Sequence, residues 1–491
     1  MTVADRVRLP MLRDRSLLRS QAYVDGRWID GNACFDVHDP ADLGVITAVP
    51  DLSAEDAAAA IAAAAAAQPA WAALPATRRS AFLRRWFDLV LTNEQDLAVL
   101  ISAEEGKPLA EALAEVRYGA SFIEWFAEEA KRVYGETIPA PAADRRILVL
   151  RQPIGVVAAI TPWNFPLAMI TRKAAAAMAA GCAIVVKPSE LTPLTALALA
   201  ALAESAGVPA GILNVITTSD PVSVGQQLCG NPLVRKISFT GSTEVGRILL
   251  RQSADTIKKC SMELGGNAPV LVFDDADLSA AIRGTLAAKF RNAGQACIAA
   301  NRILVQRNIY PAFAAQLSEE VHRLRVGHGL SQDVAIGPLV DAGTFDKVSR
   351  HVANAVERGA TIAVGGSRHA LGGTFFQPTV LTGVSADMDV FREETFGPVA
   401  ALVPFSDEAD AIALANDSEF GLAAYVFTRD LGRALRVSEA LEAGMIGLNE
   451  GIISTEVAPF GGVKQSGLGR EGSRHGIEEY LEIKYICIGG M

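Results

Sequence analysis

The chain has 491 residues, half of them apolar and a fifth charged, the composition of a compact soluble protein with two or three domains. A net charge of −10 offers no basic face for phosphate backbones and speaks against nucleic-acid binding. The six cysteines form no CxxC pair and the six histidines show no ligand spacing, so neither a disulfide framework nor a metal site is expected.

In chain order, the alanine run 57–67 and the helical spacing of 78–91 and 110–133 predict a largely helical first ~130 residues. Arg6, Arg8, Arg13, Arg15 and Arg19 suggest a transit peptide. Asp5 and Asp14 interrupt that pattern, so the segment reads as a solvated start and the protein as cytoplasmic. Residues 147–150 and 154–160 read as β. Strands at 183–187, 212–216, 236–240 and 258–263 then alternate with helices at 195–206 and 243–252. Such alternation implies a doubly wound parallel sheet with ligands at the C-terminal strand ends. A second α/β series follows, with strands at 270–273, 302–305, 361–364 and 400–403 and a helix at 278–291. The end, 480–488, is again β. The apolar stretch Ala174 to Val186 falls short of the ~18 residues of a membrane span, and no membrane partner is expected.

Several loops carry reactive groups, each with an ordinary alternative. Cys297 follows a helix that should end near Asn292, with Gly294 as punctuation. A loop thiol is a candidate nucleophile, although most cysteines are packing residues. Glu263 closes a strand before Gly265-Gly266 and could serve as a general base, or be a strand-end surface charge. Asn164 sits in the rigid Thr161-Pro-Trp-Asn-Phe-Pro166 loop and could donate to an oxyanion, or merely form a turn. Lys187 and Glu190 end a buried strand and suit a ribose, or a solvated ion pair. Gly241 and Ser242 form a strand-to-helix turn whose amides favour an anion, although the GxGxxG spacing is absent.

Taken together and in order, PWNFP (162–166), KPSE (187–190), FTGST (239–243), MELGGN (262–267), GQACIAANR (294–302), EETFGPV (393–399) and PFGGVKQSGLGREG (459–472) resemble the aldehyde dehydrogenase superfamily from about residue 20 to the end. The resemblance implies an α/β fold: a doubly wound cofactor domain (1–132 and 154–263) interleaved with an α/β catalytic domain (264–446). A small β oligomerisation element (133–153 and 475–491) completes it, and its exposed edges at Ile147 and Tyr485 would pair in a homodimer or homotetramer. It also implies a thioester on Cys297, an oxyanion hole of Asn164 and the Cys297 amide, water activation by Glu263, and proton movement through Lys173 and Glu471. The cofactor, NAD or NADP with NAD favoured by Glu190, would be held by Lys187, Ser189 and Glu190 at the adenosine ribose and by Ser242 at a phosphate. Glu394 would take the nicotinamide ribose and Phe396 the ring, with Thr161, Trp163, Gly225, Phe239, Gly241 and Leu264 completing the cleft.

Within the superfamily the sequence is most similar to succinate-semialdehyde dehydrogenases, in 236–243, 369–376 and 472–484. That likeness implies an aldehyde substrate with a carboxylate, bound by Arg172, Arg291 and Ser454. Guanidinium forks suit a carboxylate, although each arginine could instead pair with a protein acid. Glutarate semialdehyde offers the same two groups, and a general aldehyde dehydrogenase is a further alternative. Many relatives carry a second cysteine two residues after the nucleophile. Ala299 stands there, so a local disulfide switch is not available. A cysteine acyltransferase or amidase using Cys297 and Glu263 is the main rival, and a nucleotide-binding structural protein the non-enzymatic one. The first leaves Glu394, Lys187 and the Ser242 turn without a use, and formation of reduced cofactor from succinic semialdehyde would separate all three readings.

Overall fold

The structure, a computed structural model, describes residue 9 and residues 12–490. Arg6 and Arg8 of the expected solvated start lie outside these residues, Arg13 and Arg15 are exposed, and the Arg19 guanidinium lies over the Trp28 ring at 4.5 Å. The helix Ala54–Ala72 begins in a capping box, in which Ser53 accepts from the Asp56 amide and the Asp56 carboxylate accepts from Ser53. Three more helices follow, Ala76–Thr92, Glu94–Glu105 and Leu109–Glu129. The expectation of a largely helical start misses four short strands between residues 22 and 50. One hairpin turns at Asp25-Gly26, with φ of 53° and 70°, the Asp-Gly pair that a two-residue hairpin favours.

The expected parallel sheet is present. Strands Leu213–Val215, Ala183–Lys187, Val156–Ile160, Val234–Thr240 and Lys259–Glu263 lie side by side and parallel, flanked by antiparallel Ala22–Val24 and Gly467–Leu468. The apolar run 174–186 divides into the buried helix Ala168–Ala180, a left-handed Gly181 and the strand Ala183–Lys187. Among the described residues no helix is long and apolar enough to cross a membrane. A second sheet runs Thr361–Val364, Thr379–Thr382, Val399–Phe405, Ala300–Gln306, Ala268–Val272, Ala423–Phe427 and Met445–Leu448, parallel except for its first pair.

Two hydrophobic clusters fill the molecule. One draws on residues 9–264 and 477–481, the other on 268–460. A third, three-stranded sheet places Arg145–Pro153 between Glu136–Ile138 and Leu481–Gly489. Ile147 is therefore paired on both sides, with Ile138 and Cys487, and is not at an edge as the sequence suggested. Tyr485 pairs only with Val149 and does lie on the edge strand.

Candidate active site

The strand ends assemble the first half of the site. Register pairs Ile160 with Lys187 and with Phe239, and Thr240 with Glu263, so the loops carrying Thr161, Ser189, Gly241 and Leu264 all leave the same end of the sheet. Ser242 caps the helix Thr243–Ser253 by accepting from the Val245 amide, which turns that helix N-terminus toward the opening. A cleft of about 250 Å³ opens there, lined by Trp163, Asn164, Gly241, Ser242, Leu264, Glu394, Phe396 and Cys297 among others. Phe396, held at φ 56°, meets Trp163 edge-on at 5.5 Å. The Glu394 carboxylate accepts from the Gly266 amide at 3.0 Å, and burial pushes its carboxyl up to about 7. Thr161, Lys187, Ser189, Glu190, Gly225 and Phe239 do not line this cleft directly. Phe239 packs beneath Gly241, where a Cβ would stand 2.4 Å from its ring, and Lys187 pairs with Glu190 at 3.2 Å. Gly225 lies buried on the helix Pro221–Gly230.

The cleft fits an elongated anion with an aromatic ring at one end. It offers a helix N-terminus, a glycine turn with no room for a side chain, a carboxylate for hydroxyls and an aromatic pair. Thr344 and Lys347, on the helix Ala342–Glu357, also line it. Nothing in their surface-helix sequence distinguishes them, and they are absent from the sequence-based expectation.

Cys297 belongs to two cavities. The second, much the smaller, lies behind it and is lined by Tyr118, Phe165, Met169, Arg172, Arg291, Ile298, Ser454 and Phe460 among others. Met169 also borders both, so the sulfur stands where cleft and cavity meet. Cys297 is half-buried, and burial pushes its thiol up to about 12; nearby Arg172 opposes this, and Glu394 and Glu263 add to it. The thiol is thus the resting form. Asn164 Nδ2 donates to the Gln295 carbonyl at 3.0 Å, which ties its loop to the cysteine loop.

The expected carboxylate clamp takes an unequal form. The Arg172 guanidinium, 1% exposed, contacts the Glu471 carboxylate, as the ordinary alternative foresaw, and lies over the Phe460 ring at 4.4 Å. That contact lacks hydrogen-bond geometry, and all three guanidinium nitrogens remain without a hydrogen-bond partner. The buried Tyr118 hydroxyl, near Arg172 and Ser454, is likewise unpartnered. Arg291 lies over Phe165 at 5.4 Å and has no acid within ion-pair distance among the described residues.

Glu263 does not line either cavity. Its two oxygens are buried and unpartnered, near Gly461, and burial with the facing Glu471 charge holds its carboxyl well above the usual range. Lys173 donates to Thr240 Oγ1 at 2.7 Å and pairs with Glu471. Burial alone would raise the Glu471 carboxyl, but the Arg172 and Lys173 charges outweigh it and hold it low.

The turn before Cys297 was only partly foreseen. The helix ends at Phe290, and Asn292, Ala293 and Gly294 are all left-handed, with φ of 51°, 53° and 76°. Buried acids hold this strained turn. Glu111 accepts from the Asn292 amide at 2.7 Å and Glu105 from its side chain at 2.7 Å. Lys107 and Asn292 both donate to the Asn164 carbonyl, at 2.6 and 3.0 Å. The Glu104-Glu105-Gly106-Lys107-Pro108 cluster at a helix end was the available signal. Among the described residues no acid, cysteine and histidine group has the geometry to hold a metal.

Residues 28–486 match the description of the aldehyde dehydrogenase family. The chain belongs to that family. This aldehyde dehydrogenase is 58% identical, over 97% of its length and 99% of the relative's, to the NADP-dependent succinate-semialdehyde dehydrogenase of Escherichia coli. It is 56% identical to the glutarate-semialdehyde dehydrogenase of Pseudomonas aeruginosa, over 98% and 100%. A solved NADP-dependent enzyme of E. coli superposes with a TM-score of 0.97 at 58% identity, covering 97% of this chain and 100% of that one.

Proposed function

We propose that this enzyme oxidises a short aldehyde bearing a terminal carboxylate, with succinate semialdehyde as the first choice and glutarate semialdehyde as the alternative. One observation carries the reading: the cavity that ends at Cys297 holds a buried guanidinium whose nitrogens lack hydrogen bonds, beside Arg291, Ser454 and the unpartnered Tyr118 hydroxyl. Buried donors are rarely left unsatisfied, and a carboxylate answers all of them. Both curated relatives are named for semialdehydes of dicarboxylic acids, which supports the class and leaves the chain length open.

In this reading the substrate lies with its carboxylate between Arg172 and Arg291 and its carbonyl at the Cys297 sulfur. As the thiol attacks, its proton leaves and the carbonyl oxygen becomes anionic. The second N–H of Asn164 and the Cys297 amide meet that charge. Trp163, Ser242, Glu394 and Phe396, with Lys187, Ser189 and Glu190 beyond them, would hold a nicotinamide dinucleotide in the larger cleft, where it supplies the hydride acceptor. Loss of hydride leaves the acyl group on sulfur as a thioester. Glu263, its carboxyl raised by burial, then takes a proton from the water that releases the acid. Its position away from both cavities requires a swing, for which Gly265 and Gly266 supply the freedom.

The named cofactor of the E. coli relative is NADP. The preference for NAD inferred from Glu190 has no support in the comparisons, and the structure weakens its premise. Glu190 is engaged by Lys187, which reduces its repulsion of a 2′-phosphate. We therefore assign either cofactor to the cleft. The cofactor core would comprise 1–132 and 154–263 and the catalytic core 264–446, in keeping with the two hydrophobic clusters. The sheet of 133–153 and 475–491, which exposes Tyr134, Ile138, Ile483 and Tyr485, would be the contact between subunits of a homodimer or homotetramer. Six free cysteines suit the cytoplasm. Formation of reduced cofactor from succinic semialdehyde tests the function. No formation with either cofactor would overturn it.

A further inference from the structure

The helix Ala342–Glu357 carries more than the two residues that line the larger cleft. Thr344, Lys347 and His351 recur at i, i+3 and i+7 and so share one helix face. Thr344 and Lys347 border the cleft; His351, one turn further, is fully buried and lines neither cavity. Its ring lies against the segment 393–396. Nε2 stands 3.0 Å from Glu393 Oε2, and Nδ1 stands 3.2 Å from Thr395 Oγ1. An ionised carboxylate only accepts, so the contact with Glu393 places the ring proton on Nε2 and leaves Nδ1 to accept from the Thr395 hydroxyl. Burial pushes the imidazole below its ordinary value, which favours this neutral form. Burial alone would raise the Glu393 carboxyl, but His351, Arg350 and Lys347 outweigh it and hold it ionised.

The two bonds fall on either side of Glu394. Asn301, in the strand Ala300–Gln306, grips the same two neighbours through the main chain: its Nδ2 donates to the Glu393 carbonyl at 2.8 Å, and its Oδ1 accepts from the Thr395 amide at 3.2 Å. Residues 393 and 395 are thus fixed by side chain and main chain alike. Glu394 between them faces the cleft, and the left-handed Phe396 that follows meets Trp163. The start of the helix reaches the nucleophile. Asp341 caps it by accepting from the Thr344 amide at 2.7 Å, and the Val340 amide donates to Gln295 Oε1 at 3.0 Å. Gln295 lies two residues before Cys297, and its carbonyl accepts from Asn164. One helix therefore links the Cys297 loop to the segment that presents Glu394 and Phe396.

We propose that His351 is a positioning residue for hydride transfer, locking segment 393–396 to the helix Ala342–Glu357 and so holding Glu394 and Phe396 in register with the Cys297 sulfur. The inference rests on the dinucleotide and thioester reading above. His351 moves no proton and touches no reactant. Its effect is geometric: hydride passes only when the acyl carbon and its acceptor are aligned, and a misplacement of about 1 Å can cost about 10²-fold. The adenosine end of the cleft belongs to the other sheet, and the carboxylate end of the substrate to the smaller cavity, so neither affinity depends on this lock.

Three substitutions test it. His351→Leu removes both bonds, Thr395→Val removes one with little change of shape, and His351→Gln keeps a donor near the Nε2 position. In the ligand-free protein, hydrogen exchange read by mass spectrometry should quicken in 389–398 for His351→Leu and Thr395→Val, and stay near wild type elsewhere. On rapid mixing with succinic semialdehyde and NADP or NAD, His351→Leu should form its burst of reduced cofactor roughly tenfold more slowly. Calorimetric affinity for the cofactor and KM for the aldehyde should stay near wild type. His351→Gln should recover most of the rate, and His351→Leu with Thr395→Val together should be no slower than His351→Leu alone. If His351→Leu does not fold, Thr395→Val carries the same expectations. A burst as fast as wild type would overturn the proposal, as would a double-variant loss equal to the product of the single losses. So would a slowing matched by equal weakening of cofactor and aldehyde, because that pattern belongs to a general loosening of the fold. Failure of wild type to reduce either cofactor would instead overturn the reading on which the proposal rests.

Discussion

Arg291→Ala is the substitution that separates charge recognition from architecture. Arg291 borders the cavity behind Cys297, has no acid partner among the described residues, and is half-buried. A unit charge ~4 Å away through an effective dielectric of about 20 is worth about 4 kcal/mol. Partial exposure of the guanidinium should halve that, leaving about 2 kcal/mol, or roughly thirtyfold in kcat/KM. The lost contact is remote from the reacting carbon and present in ground and transition states alike, so the change should fall on KM rather than kcat. Steady-state kinetics with succinic semialdehyde and butyraldehyde, on wild type and variant, isolate the charge from chain length. Wild type should favour the carboxylated aldehyde by orders of magnitude, and the variant should lose much of that advantage while treating butyraldehyde as before. Equal losses on both aldehydes would refute the reasoning, because Arg291 would then act only by steadying the left-handed turn after it.

Cys297→Ala should abolish aldehyde oxidation while calorimetry still records cofactor binding; measurable turnover in this variant would remove the thioester from the mechanism. Glu263→Gln should keep a rapid burst of reduced cofactor and slow later turnover about 10²-fold or more, and an equal slowing of both phases would count against its role in hydrolysis. In the ligand-free enzyme, alkylation of Cys297 by iodoacetamide, resolved from the exposed Cys34 and Cys487 by peptide mass mapping, should rise about tenfold per pH unit from 7 to 9, because the thiol titrates near 12. A plateau below pH 8 would mean that the thiolate is already formed at rest. Glu190→Gln should improve efficiency with NADP relative to NAD; no change would mean that its carboxylate does not face the 2′ position.

The sequence was most informative where one residue's chemistry and one element's period coincide. The parallel strands from 183 to 263 follow from short β-branched runs set between alanine-rich helices, and their observed bounds differ by a residue or two. Cys297, Asn164, Trp163, Gly241, Ser242, Glu394 and Phe396 share a cleft because each sits at a strand end or in a Pro- or Gly-marked loop. What escaped depends on contacts between distant segments. Tyr118 reads as a helix residue and Phe165 as part of a rigid loop, and they become walls of one cavity only when the helix Leu109–Glu129 packs on the helix Ala168–Ala180 that follows that loop. Strands Ala423–Phe427 and Met445–Leu448 were not foreseen, although the amphipathic helix Leu431–Ala440 between them was an available signal. The Glu471 partner of Arg172 lies 299 residues away, so no local spacing could reveal that this arginine is shared between Glu471 and the cavity behind Cys297.

That sharing explains why so many charges are buried around one thiol. Arg172 meets the substrate cavity with its unpartnered nitrogens and Glu471 with its side, and Glu471 is held ionised by Arg172 and Lys173 together. A negative Glu471 in turn adds to burial in holding the Glu263 carboxyl well above the usual range. A substrate carboxylate at Arg172 would offset a charge that favours ionisation of Cys297 and Glu263, and so hold both groups protonated more firmly, while a cationic ring in the larger cleft would favour the thiolate. Cys297, pushed up to about 12, would then ionise when a cation occupies the larger cleft and not in response to the carboxylate. Activation of the thiol would thereby be tied to the occupant of the larger cleft rather than to bulk pH. An enzyme whose thiol would otherwise be exposed to oxidants and adventitious electrophiles gains a resting state that is chemically quiet.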